Sequence, residues 1–192
     1  LDDGGRDARA ALQPLMLAYG FDAIEREGVV TFQLRDGRPT TEIPTGDLAV
    51  TEEQDVRVQT TRSAAAEIAG RIRLNHVEAG GNYDTVSTEA IFPDEVTYSI
   101  SQNELPLAMT QNEARAVAER WLAEARVARD TVRIALPPSR LPIGAGDVVH
   151  LPDEEGRNAM YRIDHVEQSG FQLVDAIRVE PGVYAPGDSS LD

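Results

Sequence analysis

The chain contains no cysteine, which excludes disulfides and thiolate metal sites without fixing a compartment. Aromatic residues make up only 5% of it, which speaks against the exposed aromatic cluster of a carbohydrate- or peptide-binding module. No apolar run approaches the roughly 20 residues a helix needs to cross a bilayer, and no basic-plus-apolar leader opens the sequence. Cationic residues are the minority, 18 against 33 acids, for a formal net charge of −15. That balance opposes tight binding to a phosphate backbone through counterion release, so no specific nucleic-acid binding is expected. A solvated acidic surface is the plain reading of the charge.

The short signatures of chemistry are missing too. No Gly-x-Ser-x-Gly elbow marks a nucleophilic serine, and Ser169-Gly170 reads as a turn between strands. The three histidines, His76, His150 and His165, fall on predicted strands rather than in a His-x-x-x-His or His-Glu-x-x-His helix. They read as ordinary strand histidines, half exposed or hydrogen-bonded. Ile143-Gly144-Ala145-Gly146-Asp147 superficially resembles a phosphate-binding loop, but it lacks the Gly-x-Gly-x-x-Gly spacing and feeds a strand, whereas the useful donors come from a helix N-terminus. Asp153-Glu154-Glu155-Gly156-Arg157-Asn158 clusters oxygens that could attract calcium, without the spacing of an EF-hand loop. It reads as a solvated hairpin tip, and Asp2-Asp3 and Glu52-Glu53 read the same way. Paired carboxylates could serve glycoside hydrolysis, yet among 33 acids chance pairs are plentiful. No catalytic, cofactor-binding or metal-binding residue is assigned, no cofactor is expected, and the chain is not read as an enzyme.

What is present suits a globular protein: 41% hydrophobic and 27% charged residues over 192 positions, enough for one large or two small domains. Leu12, Leu15, Met16 and Tyr19 fall at i, i+3, i+4 and i+7. They predict a short amphipathic helix over 8–19 that stops at Gly20, with Pro14 either kinking it or sitting in its first turn. Phe21 to Arg26 and Val29 to Leu34 are β-prone runs around a turn at Glu27-Gly28, a hairpin packed on that helix. Residues 36–56, with Asp36-Gly37, Pro39, Pro44 and Gly46, read as loop with one short strand near Leu48 to Val50, and Val56 to Thr60 as extended. Ala64-Ala65-Ala66 could begin a helix, but Ile68, Ile72 and Leu74 share even parity with His76 and favour a strand from Ile68 to Glu78. Gly80-Gly81-Asn82 reverses it into Tyr83 to Phe92, a long hairpin. Val96 to Ile100 is a further strand, and Gln102 to Pro106 reads as a linker.

Thr110-Gln111-Asn112-Glu113 is a capping box. Ala114, Val117, Ala118, Trp121, Leu122 and Ala125 then form the apolar stripe of a helix around 110–128. Trp121, the only tryptophan, sits on that stripe and reads as core packing rather than a ligand-stacking face. Val132, Ile134 and Leu136 alternate along a strand ended by Pro137-Pro138. Gly146 to Leu151, Tyr161 to Val166 and Phe171 to Val179 follow as a β-meander. The architecture expected is α+β and β-dominated, with antiparallel barrel-like or sandwich units and two amphipathic helices. A break near Pro106 divides it into 1–106, a helix plus β-hairpin and barrel-like unit, and 107–192, a helix plus C-terminal meander.

The wording of the last third is Leu-Pro-Pro-Ser-Arg-Leu at 136–141, Gly146-Asp147-Val148-Val149, Tyr161-Arg162-Ile163-Asp164, and Val179-Glu180-Pro181-Gly182-Val183-Tyr184. It resembles a putative phage tail protein domain. Ala10 to Gly28, and Arg73 to Val77 followed by Asn82-Tyr83-Asp84, extend the resemblance over nearly the whole chain. The order and wording of several segments carry it, not one diagnostic residue. Domains of this family occur in tail-tip and baseplate hub proteins, including the large hub protein of gene transfer agents. The resemblance implies a structural module that links the tail tube to the cell-contacting end and lines a passage for cargo. It implies a homotrimer in the assembled particle, partners among other tail-tip and baseplate proteins, and cell-envelope contact in the parent protein. The location implied is the tail of a virion or phage-like particle, with the protein soluble in the host cytoplasm before assembly. A negative lumen would let DNA or an extended protein slide through. The glycosidase-like region of gene-transfer-agent hubs is separate from the segments matched here. The start at Leu1 and the linker-like close at Ala185 to Asp192 lead to the expectation of a longer parent polypeptide. Two other classes stay open, a carbohydrate- or peptide-binding β-module and part of a cell-wall glycoside hydrolase, the latter requiring two convergent carboxylates.

Overall fold

The computed structural model describes residues 3–26, 28–36, 38–51, 56–64, 67–92, 99–153, 156–168 and 170–184. Several positions read above, namely Asp2, Glu27, Gly37, Glu52-Glu53, Ala65-Ala66, Val96 to Tyr98, Glu154-Glu155, Ser169 and the tail from 185, lie outside the described residues.

Helix α1 (Asp3–Tyr19) starts ahead of the expected 8–19, and Pro14 lies inside it, past the first turn. Proline there forfeits the bond its own N–H would make to the carbonyl four residues back. The helix ends as expected at Gly20, whose φ of +65° lets its N–H donate to Met16 O at 3.0 Å. Tyr19, placed on the apolar stripe by periodicity, faces solvent; Ala18 is buried and Leu17 packs beside it. β1 (Phe21–Arg26) and β2 (Val29–Leu34) form the expected hairpin, in register from Phe21↔Leu34 to Arg26↔Val29.

β3 (Thr40–Glu42), β4 (Val58–Arg62), β5 (Arg71–Glu78), β6 (Thr85–Ile91) and β7 (Ile100–Met109) precede helix α2 (Gln111–Val127). After it come β8 (Asp130–Leu136), β9 (Val148–Pro152), β10 (Asn158–Gln168) and β11 (Gln172–Val179). They make a six-stranded sheet, β3-β9-β10-β11-β8-β4, and a three-stranded sheet, β6-β5-β7. The fold is α+β and β-dominated with two helices, as expected, but its sheets are open and do not close into barrels. Two strand pairs are parallel, β3 with β9 and β5 with β7, where antiparallel pairing was expected. The meander β9-β10-β11 is present.

Three segments differ from the sequence reading. Residues 40–42, read as loop, are β3, held by one neighbour along three residues too polar to announce a strand. Near Leu48 to Val50 only a single bridge forms, Ala49 to Ala135, while Leu48 plugs the core. Gln102 to Pro106, read as a linker, lies within β7. Its polar residues alternate with exposed positions along an edge, and Leu105 and Met109 are buried. Pro106 is tolerated because the register with β5 jumps from Asn75↔Glu104 to Val77↔Ala108, and the proline falls in that irregularity.

The even parity read for Ile72, Leu74 and His76 holds: all are buried, facing α2. Thr110 caps α2 with both halves of the box, accepting from Glu113 N at 3.3 Å while its own N–H donates to Glu113 Oε2 at 2.8 Å. One core joins Ala18, Ile72, Leu74, Ala90 and Leu105 to Met109, Ala114, Val117, Ala118 and Leu122. The other covers one face of the six-stranded sheet, where Ile43 and Leu48 meet Val132, Ile134, Leu136, Tyr161 and Val174. Each core thus draws residues from both sides of Pro106.

Two substitutions separate these contributions. Leu136→Ala, at a fully buried position, is expected to lower unfolding free energy by about 2–5 kcal/mol. Thr110→Ala, which removes a cap, should cost about 1 kcal/mol. Urea titration followed by circular dichroism measures both.

Candidate functional site

The helices, the hairpin and the six-stranded sheet meet at a junction built from arginine and carboxylate. All 18 basic residues of the chain are arginine. Asp22 on β1 points to the face of the hairpin turned toward the sheet. Its carboxylate takes Arg35 at 3.0 Å, Arg162 of β10 at 3.6 Å and Arg38. Arg35 in turn reaches Glu124 of α2 at 3.2 Å. Burial alone would raise the Asp22 carboxyl, but Arg35, then Arg162 and Arg38, outweigh it and hold it below the ordinary range. Burial pushes the Tyr184 hydroxyl up to about 12, reinforced by Glu124, the carboxylate it hydrogen-bonds to.

Arg38 is nearly buried and closes the junction with its whole fork, donating to Leu34 O at 2.8 Å and Gly146 O at 2.7 Å besides Asp22. The loop 143–147 is the other half of the dock. Gly146 has a φ of +86° and the Ile24 side chain lies where a Cβ would sit, so only glycine fits there. Arg26 bonds Ala145 O at 2.9 Å and pairs with Asp147 at 2.7 Å, and Gly144 N donates to the Asp147 carboxylate at 2.9 Å. The glycines that superficially resemble a phosphate loop therefore seat a hairpin, and an internal carboxylate takes one of their donors. On α2, Arg120 donates to Leu17 O at 2.8 Å and Ala18 O at 2.7 Å, and Trp121 Nε1 to Leu17 O at 3.1 Å. These donors meet the negative end of α1, whose own last turn has no basic residue. Trp121 is half-buried and packs against the first core while its indole N–H anchors α1.

Between α2, β10, β11 and the turn Pro181–Tyr184 lies a cleft of about 260 Å³, lined by Trp121, Glu124, Arg162, Arg178, Glu180 and Tyr184 among others. Its lining has no serine, cysteine or histidine. Its carboxylates are engaged: Glu124 by Arg35 and Arg120, Glu180 by Arg178 at 3.3 Å. Beside it Asp130 accepts from Arg62 at 2.6 Å and Arg178 at 3.3 Å, tying β4, β8 and β11 together.

The histidines do not converge on this cleft. His76 is buried in the three-stranded sheet between Thr88 Oγ1 at 3.0 Å and Val77 O at 3.2 Å. His150 bonds Thr40 Oγ1 at 3.1 Å, and His165 is exposed on β10. Among the described residues no group of three or more His, Cys, Asp or Glu is placed to hold a metal ion. At the acidic hairpin tip, Asp153 turns inward and binds Arg157 N at 2.8 Å and its guanidinium at 3.0 Å. The sequence reading missed Asp22, Arg35, Arg38, Arg162 and Tyr184. A charged residue at the inward parity of a strand, as Asp22 is on β1, was the available signal.

A sequence model of the family described as putative phage tail protein matches residues 7–166. The chain belongs to that family. It is 52% identical to a chain of the virion of a native gene transfer agent particle, with a TM-score of 0.89, over 98% of this chain and 43% of that one. The protein thus spans less than half the length of that relative. The 43 kDa tail protein of prophage MuSo2 from Shewanella oneidensis has the same fold at 13% identity and a TM-score of 0.52, over 92% of this chain and 55% of the other. A tail protein from Neisseria meningitidis MC58 stands similarly, at 14% identity, a TM-score of 0.52 and the same coverages. No curated protein sequence matches significantly. The residues of the junction fall largely inside the family match, with Arg178 to Tyr184 beyond its end.

Arg38→Lys keeps the charge and loses the fork. It should lower unfolding free energy by about 1–3 kcal/mol, measured by urea titration, because Leu34 O and Gly146 O lose their shared donor.

The junction also titrates at both ends of the pH scale. The folded Asp22 value lies below the unfolded one, so its contribution is full above the ordinary aspartate value of about 3.9 and is lost as pH falls through and beneath it. The folded Tyr184 value lies above its unfolded one, so the neutral phenol stabilises below about 10 and that contribution is lost as pH rises toward about 12. Thermal melts across pH should show Asp22→Asn flattening the acid limb and Tyr184→Phe flattening the alkaline limb.

Proposed function

We propose that this protein is a structural module of a phage-like tail-tip or baseplate hub, linking the tail tube to the cell-contacting end and lining a passage for cargo. The observation that carries the proposal is the 52% identity over 98% of the chain to a component of a gene transfer agent virion. Identity at that level over the full length favours the same place in the particle. In this reading the protein acts by shape and edge complementarity, as a homotrimer with other tail-tip and baseplate proteins as neighbours. The parent polypeptide supplies any contact with the cell envelope. The net charge of −15 suits a passage along which DNA or an extended protein moves without sticking. The work is assembly rather than turnover, in keeping with a cleft whose carboxylates are engaged by arginines. The protein would reside in the tail of the particle.

Negative-stain electron microscopy of the parent polypeptide, with mass measured in the same buffer, tests this. Threefold rings with a central opening are the expected result. Specific cell-wall hydrolysis by this chain, abolished by changing one acid pair, would overturn the structural role.

A further inference from the structure

The free edges of the described sheets are β1 and β2, β3 and β4, and β6 and β7. Five of these six strands carry a charge or a proline: Asp22, Glu25 and Arg26 on β1, Glu42 on β3, Arg62 on β4, Glu89 on β6, and Glu104 with Pro106 on β7. Such residues keep an edge from pairing with another chain. β2, Val29-Val30-Thr31-Phe32-Gln33-Leu34, has neither.

The side chains of β2 are exposed as well. Asp22, Ile24 and Arg26 face the body, so the alternation of a strand puts their neighbours on the outward face. There Val30, Phe32 and Leu34 lie opposite Glu25, Ala23 and Phe21, at 53%, 56% and 63% exposure. Val29 at the hairpin tip and Tyr19 just before the hairpin are exposed to a similar degree. The Phe21 and Phe32 rings meet edge to face at 5.9 Å, which fixes the shape of the patch.

We infer that β2 is covered by a second copy of this chain, its edge and outward face forming the contact between copies. The number of copies rests on the ring proposed above; the surface does not. Charge selects the occupant. Glu25 is the one charged residue on this face of the hairpin, in a chain of net charge −15, so two acidic copies meet here with the least repulsion. A basic protein would instead be drawn to the acidic remainder. Area agrees: five large apolar side chains, each more than half exposed, make a patch on the order of 500 Å², at the upper end of what a monomer shows. Two partners meeting over it bury about 1,000 Å² in total, where specific interfaces begin.

Equilibrium sedimentation of the full chain over a concentration series tests the assignment. It is run beside Phe32→Lys, Val30→Lys, which touches no ring partner, and Ile91→Lys, a control at a 55% exposed position on β6. The unaltered chain should self-associate. The two β2 variants should weaken association at least about tenfold with unchanged circular dichroism, and Ile91→Lys should behave as the parent. A chain that stays monomeric throughout, or association that survives both β2 changes, overturns the inference. Three copies per assembly supports the ring as well, whereas two copies keeps the edge and sinks the ring.

Discussion

A single carboxylate decides where the hairpin sits. Asp22 is shared by guanidiniums from the segment after β2 and from β10, and it is the only charged side chain of β1 that faces this cluster. An ion pair out of water gains little net stability, because desolvation consumes most of the attraction. Its strength is directional: with any other seating of β1, Arg35, Arg38 and Arg162 would lose a common acceptor. The same cluster passes through Glu124 to α2, and α2 through Arg120 and Trp121 to α1. Two helices, a hairpin and a six-stranded sheet are thus oriented by one continuous set of polar contacts, while the two apolar cores supply the bulk of the stabilisation.

The exclusive use of arginine belongs to this arrangement. A lysine ammonium is a point charge on a flexible stem, whereas a guanidinium offers five donors in a rigid plane. Arg35 holds Asp22 on one side and Glu124 on the other, and Arg38 holds a carboxylate and two backbone carbonyls at once. The junction therefore works as a set of planar clips between elements. Loss of one partner leaves a buried charge behind, which is costly in a way that loss of a surface ion pair is not.

Elements with strong periodicity were legible in the sequence: the capping box of α2, the buried parity of β5, the β1–β2 and β5–β6 hairpins and the closing meander. Each is specified by neighbours within a few residues. The misses depend on distant partners. β3 is too short to have a period of its own and exists because β9 lies beside it. β7 hides its character behind Gln102-Asn103-Glu104 and a proline, and only the register jump against β5 explains why the chain stays extended. Openness of the sheets was likewise invisible, since strand count and alternation are the same for a barrel and for a sheet with two free edges. At the junction, the apparent linkage of Gly144 and Gly146 to phosphate binding dissolves once Ile24 is seen against the glycine. A sequence displays the glycine and not what approaches it.

The outward face of the hairpin bears on why this fold carries its apolar residues where it does. An isolated two-stranded hairpin is marginal in water, and this one is held to the body by its inward face alone, through Asp22, Ile24 and Arg26. Phe32 contributes its edge-to-face contact with Phe21, but Val30 and Leu34 remain more than half exposed and bury little within the chain. Intramolecular stability therefore does not account for them, and serine or threonine at those positions would serve the monomer as well. Their retention beside charged or proline-bearing edges elsewhere separates the two demands on the molecule: most of the surface is kept acidic and unpaired, and one strand is left fit for pairing.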